Sequence, residues 1–242
     1  MRAEFAKVRS MPTPRWCLFA VFLCFCLGLV VTVIWGPGED AAAPDVAVGF
    51  STAIASIVFG VWIVGVEYGQ NTIRRTLTAD PRRGRLVISK IIVAAVWVTA
   101  VTVFLHLVAL PAFNLAASGH DTSVPTELLA RYGLASLLNN LVYMLIGVAF
   151  ALITASMAGG MTLSLVFIFV IDSIFPVIPE VGDYSFGLAL TDVLDAIRGI
   201  DTEVFGDSGS THSTPLASLI VAAWTIGLLM IGIVRFKRSD VK

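Results

Sequence analysis

Long stretches of this chain carry no charge, and their lengths say what they are. Positions 16–35, 46–66 and 215–234 are uncharged for 20, 21 and 20 residues. Each suffices for one helix to cross the hydrocarbon core of a bilayer. Positions 91–119 run 29 residues without charge, and Pro111 is expected to end that helix near its far side. Positions 132–171 run 40 residues without charge. As one helix that segment would be about 60 Å long, twice the hydrocarbon thickness, so it is expected to fold into two spans. The turn is placed at 156–160, SMAGG, where small residues and two glycines cluster. The pattern predicts an all-α integral membrane protein of six transmembrane helices forming a single domain over 1–242.

The longest polar stretch, 180–214, falls between the fifth and sixth spans. Within it Leu190, Val193, Leu194, Ile197 and Ile200 recur at helical spacing, with Asp192, Asp195 and Arg198 on the other flank. This predicts a short amphipathic helix, lying in the outer leaflet or packed on its own bundle.

Composition agrees with the pattern: 57% of the 242 residues are hydrophobic and 14% charged, where a soluble domain has about a quarter charged. The three cysteines, Cys17, Cys24 and Cys26, all fall in the first apolar run and suggest apolar filler rather than a disulfide framework. The net charge of -1 conceals a segregation of sign. Of 16 Lys and Arg, four lie in the first 15 residues, six in 67–90 and four in the tail; only Arg131 and Arg198 fall on the opposite side, with 12 acids. The positive-inside rule then puts both termini and the 67–90 loop in the cytoplasm of a multi-pass cell-membrane protein. A basic start, an apolar run and AAA at 41–43 also resemble a cleaved leader. The length of the run and the interfacial Trp35 at its end favour a retained span.

Catalytic chemistry finds little support. GDSG at 206–209, near His212, matches a rhomboid-protease pattern, but in a Gly/Ser-rich linker where composition alone produces such matches. VGD at 181–183 lacks the glycine an intramembrane aspartyl protease needs, since Glu180 stands there. None of Lys7, Lys90, Lys237 and Lys242 follows a glycine, so there is no phosphate-binding loop and no nucleotide hydrolysis by that route. Nothing suggests a nucleic-acid partner or a metal site. Polar residues within spans are functional candidates by default. Asp172, late in the fifth span, is expected near the outer headgroups and solvated. His106 is expected to make an interhelical hydrogen bond, with a proton relay as the alternative. Asn139 and Asn140 are expected to join helices, with lining of a substrate path as the alternative for one of them.

The segment 67–90, EYGQNTIRRTLTADPRRGRLVISK, has a particular order. Glu67 ends a span, Thr72 follows, and 72–79 is helix-compatible with Ile73 and Leu77 on one side and Arg74 and Arg75 beside them. Pro81 stops that helix, Arg82, Arg83 and Arg85 come next, and Lys90 opens the following span. This order resembles the first cytoplasmic loop of ABC-2 type transporter permeases. Where that family usually has Gly before the Thr, this chain has Asn71, which tolerates left-handed geometry. Residues 1–15, with Met1, Phe5 and Val8 on one side, are similar to the family's interfacial elbow helix, and 190–200 sits where the family places short external helices. The resemblance implies a permease half that pairs with a second copy or homologue in the lipid bilayer. It implies cytoplasmic ABC ATPase subunits docking on a coupling helix made by Glu67, Thr72, Ile73, Arg74, Arg75, Leu77, Pro81 and Arg85. It implies export driven by ATP and Mg held on those subunits, with no cofactor in this chain. Two other readings of the residues remain: an ion-coupled transporter using Asp172 or His106, and a non-transporting scaffold or immunity protein.

Overall fold

The computed structural model describes residues 6, 8, 10–35, 42–70, 72, 83–117, 126–179, 181–199 and 212–238, and the structural statements below concern these. They form helices with no strand among them. In chain order the helices are α1 (Pro12–Trp35), α2 (Ala42–Gly69), α3 (Arg83–Ala117), α4 (Thr126–Thr154), α5 (Met157–Val166), α6 (Phe186–Arg198) and α7 (Thr214–Arg238). A π-helical turn, Phe167–Ile171, then Asp172–Ile174 and a 3₁₀ turn, Phe175–Val177, prolong α5. Among the described residues five helices are long and apolar enough to cross a membrane: Ser51–Gly69, Gly84–Ala109, Ala130–Thr154, Met157–Val177 and Thr214–Arg238. A shorter apolar helical stretch, Arg15–Val31, lies in α1.

α2 is the most enclosed helix, packed against α1, α3, α4 and α5. Phe59 stacks on Trp97 of α3, with ring centroids 4.0 Å apart, and on Trp62 at 5.4 Å. Its seam with α4 is built on missing side chains. A Cβ at Gly60 would collide with the Met144 carbonyl oxygen, and one at Gly147 would lie 2.5 Å from the Ile57 carbonyl oxygen. Lipid offers no hydrophobic drive for helices to associate, so close backbone approach at small residues supplies the packing instead. The outward faces of α1, α3 and α7 present Phe19, Phe22, Phe104, Leu107, Leu219 and Ile226. That is the polarity expected of lipid-facing surface.

The C-terminus of α2, the N-terminus of α3, the α4–α5 turn and the C-terminus of α7 meet at one end of the bundle, here termed the basic end. A Cβ at Gly65 would lie 2.7 Å from Met157 Cα, and one at Gly84 would lie 3.9 Å from the Lys237 side chain. Val8 and Met11 pack against the cluster that contains Val87 and Phe236. Of the expected elbow helix, Met1 and Phe5 lie outside the described residues.

Three boundaries differ from expectation. The α4–α5 turn is Ala155–Ser156 rather than all of 156–160: Ala155 takes a left-handed φ of 52°, and the Ser156 side chain caps α5 by accepting from the Gly159 amide. Gly159 and Gly160 are helical, and Gly160 serves packing, because a Cβ there would lie 2.9 Å from Ala151 Cα. Pro111 does not end α3, which continues to Ala117; proline removes one backbone hydrogen bond, and helices in a membrane bundle tolerate that loss where neighbouring groups satisfy the freed carbonyl. The amphipathic helix α6 begins at Phe186, four residues before the periodic stripe, and ends at Arg198, capped by Gly199, left-handed at φ 75°. It buries Phe186, Ala189, Leu190, Val193 and Leu194 against α4 and α7, so its apolar face packs on its own bundle. Ile200 lies outside the described residues.

Candidate functional site

The basic segment is held at its base by a buried ion pair. Glu67 Oε1 lies 2.9 Å from Lys90 Nζ, with side-chain exposures of 1% and 3%. The same ammonium donates to the Ile63 carbonyl oxygen at 2.8 Å. The α2 terminus closes with the Gln70 amide donating to Val66 and the Thr72 amide to the Glu67 carbonyl oxygen, both at 3.0 Å. The second of these spans five residues, as in a Schellman ending. Glu67 therefore faces the neighbouring helix, while Arg85 is exposed at the start of α3. Ile73, Arg74, Arg75, Leu77 and Pro81 lie outside the described residues. The pairing of Glu67 with Lys90 was not anticipated, although opposite charges ending one span and opening the next were its signal.

Within the bundle the two consecutive asparagines separate. Asn140 is fully buried, and its Nδ2 donates to Thr102 Oγ1 at 2.9 Å, joining α4 to α3. One turn along α3, His106 Nδ1 lies 2.8 Å from the Thr102 carbonyl oxygen, an intrahelical contact, with the ring against Gly133. Asn140 thus joins two helices as expected, while His106 makes an intrahelical contact in place of its expected interhelical bond and packs its ring against Gly133 of α4. Asn139 points elsewhere. With Ser136 and Tyr143 it forms a polar stripe on α4 facing a cavity of about 320 Å³. The facing walls are Ala53 and Ile57 of α2 and Ile168 and Phe169 of the π-helical turn, and Arg198 of α6 lies at the side. Among the described residues neither the Asn139 amide nor the Tyr143 hydroxyl has a hydrogen-bond partner.

Asp172 is half-buried and engaged, not simply solvated. Its Oδ1 accepts from the Gly187 amide at 2.8 Å and from Ser185 Oγ at 3.1 Å. It thereby helps to cap α6 together with the N-cap residue Ser185, whose Oγ accepts from the Leu188 amide at 3.4 Å, and it sits at the positive dipole end of that helix. The π-helical turn immediately before it advances the register of the chain, and such turns recur at functional sites. On α6, Arg198 pairs with Asp195 at 3.1 Å and lies over the Tyr132 ring at 5.3 Å. Asp192 accepts from His212 Nδ1 at 3.3 Å and from its backbone amide at 3.2 Å, tying α6 to the approach to α7. The 206–209 motif lies outside the described residues. Among the described residues no three His, Cys, Asp or Glu side chains gather where a metal could be held.

No curated protein matches the chain. The profile of the ABC-2 family transporter proteins does match, over residues 1–171. That stretch contains α1 to α4, the basic segment with its buried pair, and the whole apolar course of α5 through the π-helical turn. The chain is a multi-pass membrane protein belonging to the ABC-2 family of transporter proteins, and within such a transporter it is a membrane permease.

Proposed function

We propose that the chain is one half of an ATP-driven ABC-2 exporter, paired with a second permease and driven by separate cytoplasmic ATPases docked at the basic end. The observation that carries this reading is the Glu67–Lys90 pair, 2.9 Å apart and buried. A segment that only satisfied charge asymmetry would not need its two flanking helices locked together. A segment that transmits force does, because a push on 71–82 must move α2 and α3 and not bend their ends. α2 also lines the cavity, so displacement of its C-terminus reaches the interior through one continuous helix. Alternating access needs such a movable element whose two positions the ATPases bias. In this reading α1 is the sixth span, the basic end is cytoplasmic, and Ile73 and Leu77 enter a groove of the ATPase while Arg74 and Arg75 meet its rim.

The test is Leu77→Asp in the otherwise native chain. An apolar anchor at an interface centre is typically worth about 2 kcal/mol or more, and rim charges less. Leu77→Asp should abolish co-purification of an ATPase bearing Walker motifs from host membranes, with the permease still inserted, while Arg82→Gln should leave it nearly intact. Normal ATPase recovery and normal transport with Leu77→Asp would sink the coupling role of this segment.

A further inference from the structure

The cavity between α2, α4 and the π-helical turn has two dissimilar sides. On α4, Ser136, Asn139 and Tyr143 follow i, i+3, i+7 and present hydroxyl, amide and phenol along one edge. The amide of Asn139 and the hydroxyl of Tyr143 are without hydrogen-bond partners among the described residues. Polar groups in the interior of a membrane bundle are expensive and normally pair, as Asn140 does next door with Thr102. Two that lack a hydrogen-bond partner among the described residues and share one cavity wall mark a lining. The other side, Ala53, Ile57 and Phe169, is apolar.

We propose that this cavity binds an uncharged, one-sided amphiphile: a small molecule with hydrogen-bonding groups along one edge and hydrocarbon along the other. Size agrees, since about 320 Å³ falls in the range of drug-sized sites. Charge agrees as well. Among the described residues Arg198 is the sole charged side chain in the lining, and Asp195 balances it at 3.1 Å. The Asp172 carboxylate, on the same span as Ile168 and Phe169, is committed to the start of α6. An ionic ligand would leave water without a counter-charge to meet it. The π-helical turn supplies Ile168 and Phe169 to the wall from the least regular part of its span, so that wall is the one free to adjust around different hydrocarbon edges. That the ligand is also the transported substrate rests on the permease reading; its binding does not.

The experiment uses the full chain in phosphatidylcholine nanodiscs without an ATPase, so its failure leaves the coupling proposal standing. Cys17, Cys24 and Cys26 are replaced by Ala, and Ile54→Cys, in the cavity wall, reports access. A neutral methanethiosulfonate should label position 54, and its anionic and cationic analogues should not. Equal labelling by all three, or by none, overturns the proposal. Corticosterone, neutral and polar at several edge positions, should protect position 54 in a saturable way. Ile226→Cys on the outward face of α7 should be labelled by the neutral reagent without protection. In the Ile54→Cys background, Asn139→Leu with Tyr143→Phe should shift half-protection about 30-fold upward, the loss of two hydrogen bonds of ordinary net strength. Absent protection, or protection unchanged in that double variant, refutes the polar edge as the recognition element. Size-exclusion profiles matching the parent exclude misfolding as the cause.

Discussion

Asn139 and Asn140 are consecutive residues of α4, yet one faces a cavity and the other is sealed against α3. The contrast extends to the molecule. At the basic end and along the α2–α4 seam close approaches recur: Glu67 meets Lys90 at 2.9 Å, a Cβ at Gly65 would lie 2.7 Å from Met157 Cα, and one at Gly147 would lie 2.5 Å from the Ile57 carbonyl oxygen. In the opposite half, α2, α4 and the π-helical turn border a cavity of about 320 Å³, with two polar side chains unmatched among the described residues. The same chemical vocabulary serves as a fastener in one half and as a lining in the other. What separates the roles is whether each donor has found an acceptor, which residue type does not disclose.

This contrast can be broken by mutation, and the largest effect should come from the tight half. Lys90→Met leaves the Glu67 carboxylate buried without its counter-ion and should cost about 3–5 kcal/mol, read as early loss of the monodisperse peak in thermal size-exclusion assays. Glu67→Gln with Lys90→Met should recover much of that loss; equal damage in single and double variants would mean that the pair is incidental. Next comes Gly147→Leu, which forces α2 and α4 apart and should cost about 3 kcal/mol. Ala53→Leu, growing into the cavity instead, should cost under about 1 kcal/mol, and similar melting of the two would erase the difference between halves.

Smaller effects sharpen the contrast. Asn140→Leu removes an interhelical hydrogen bond and leaves Thr102 Oγ1 unmatched across the seam, a loss of about 1 kcal/mol within the membrane range. Asp172→Ala removes the acceptor of the Gly187 amide, leaving Ser185 on the Leu188 amide, and should cost about 1 kcal/mol, seen as faster amide exchange at 186–190. Asp172→Asn keeps an acceptor oxygen and should lose less than half of that. Asn139→Leu should be the mildest, within about 0.5 kcal/mol. A loss from Asn139→Leu as large as that from Asn140→Leu would show that Asn139 is a fastener too.

Much of the fold was legible in the chain because its solvent is apolar. In lipid a backbone must satisfy itself, so an uncharged run of 20 or more residues has little choice but a helix. Hence the spans stand where charge is missing, and α6 was visible in its periodic stripe. Punctuation was read less well. The glycines of SMAGG looked like a turn, but Gly160 is spaced for contact with Ala151, and a left-handed Ala155 makes the turn. Pro111 looked like a stop, but α3 runs through it to Ala117, as helices in a membrane bundle can. The family resemblance was legible in 67–90 because the order of a few residues there is unusual, and the family profile covers that segment.

By itself the sequence determined that this is a helical membrane protein, where its helices run, and that its basic charge is segregated. Those properties follow from transfer energies and hydrogen-bond satisfaction summed over local stretches of chain. Tertiary structure alone decided what the polar residues do. Glu67 became a partner for Lys90 across two helices, Asp172 a cap for a helix that starts 14 residues later, and Asn139 a wall rather than a joint. Each outcome depends on which face of one helix meets which face of another. That is set by where glycines permit close approach, a relation among distant residues that no local window contains.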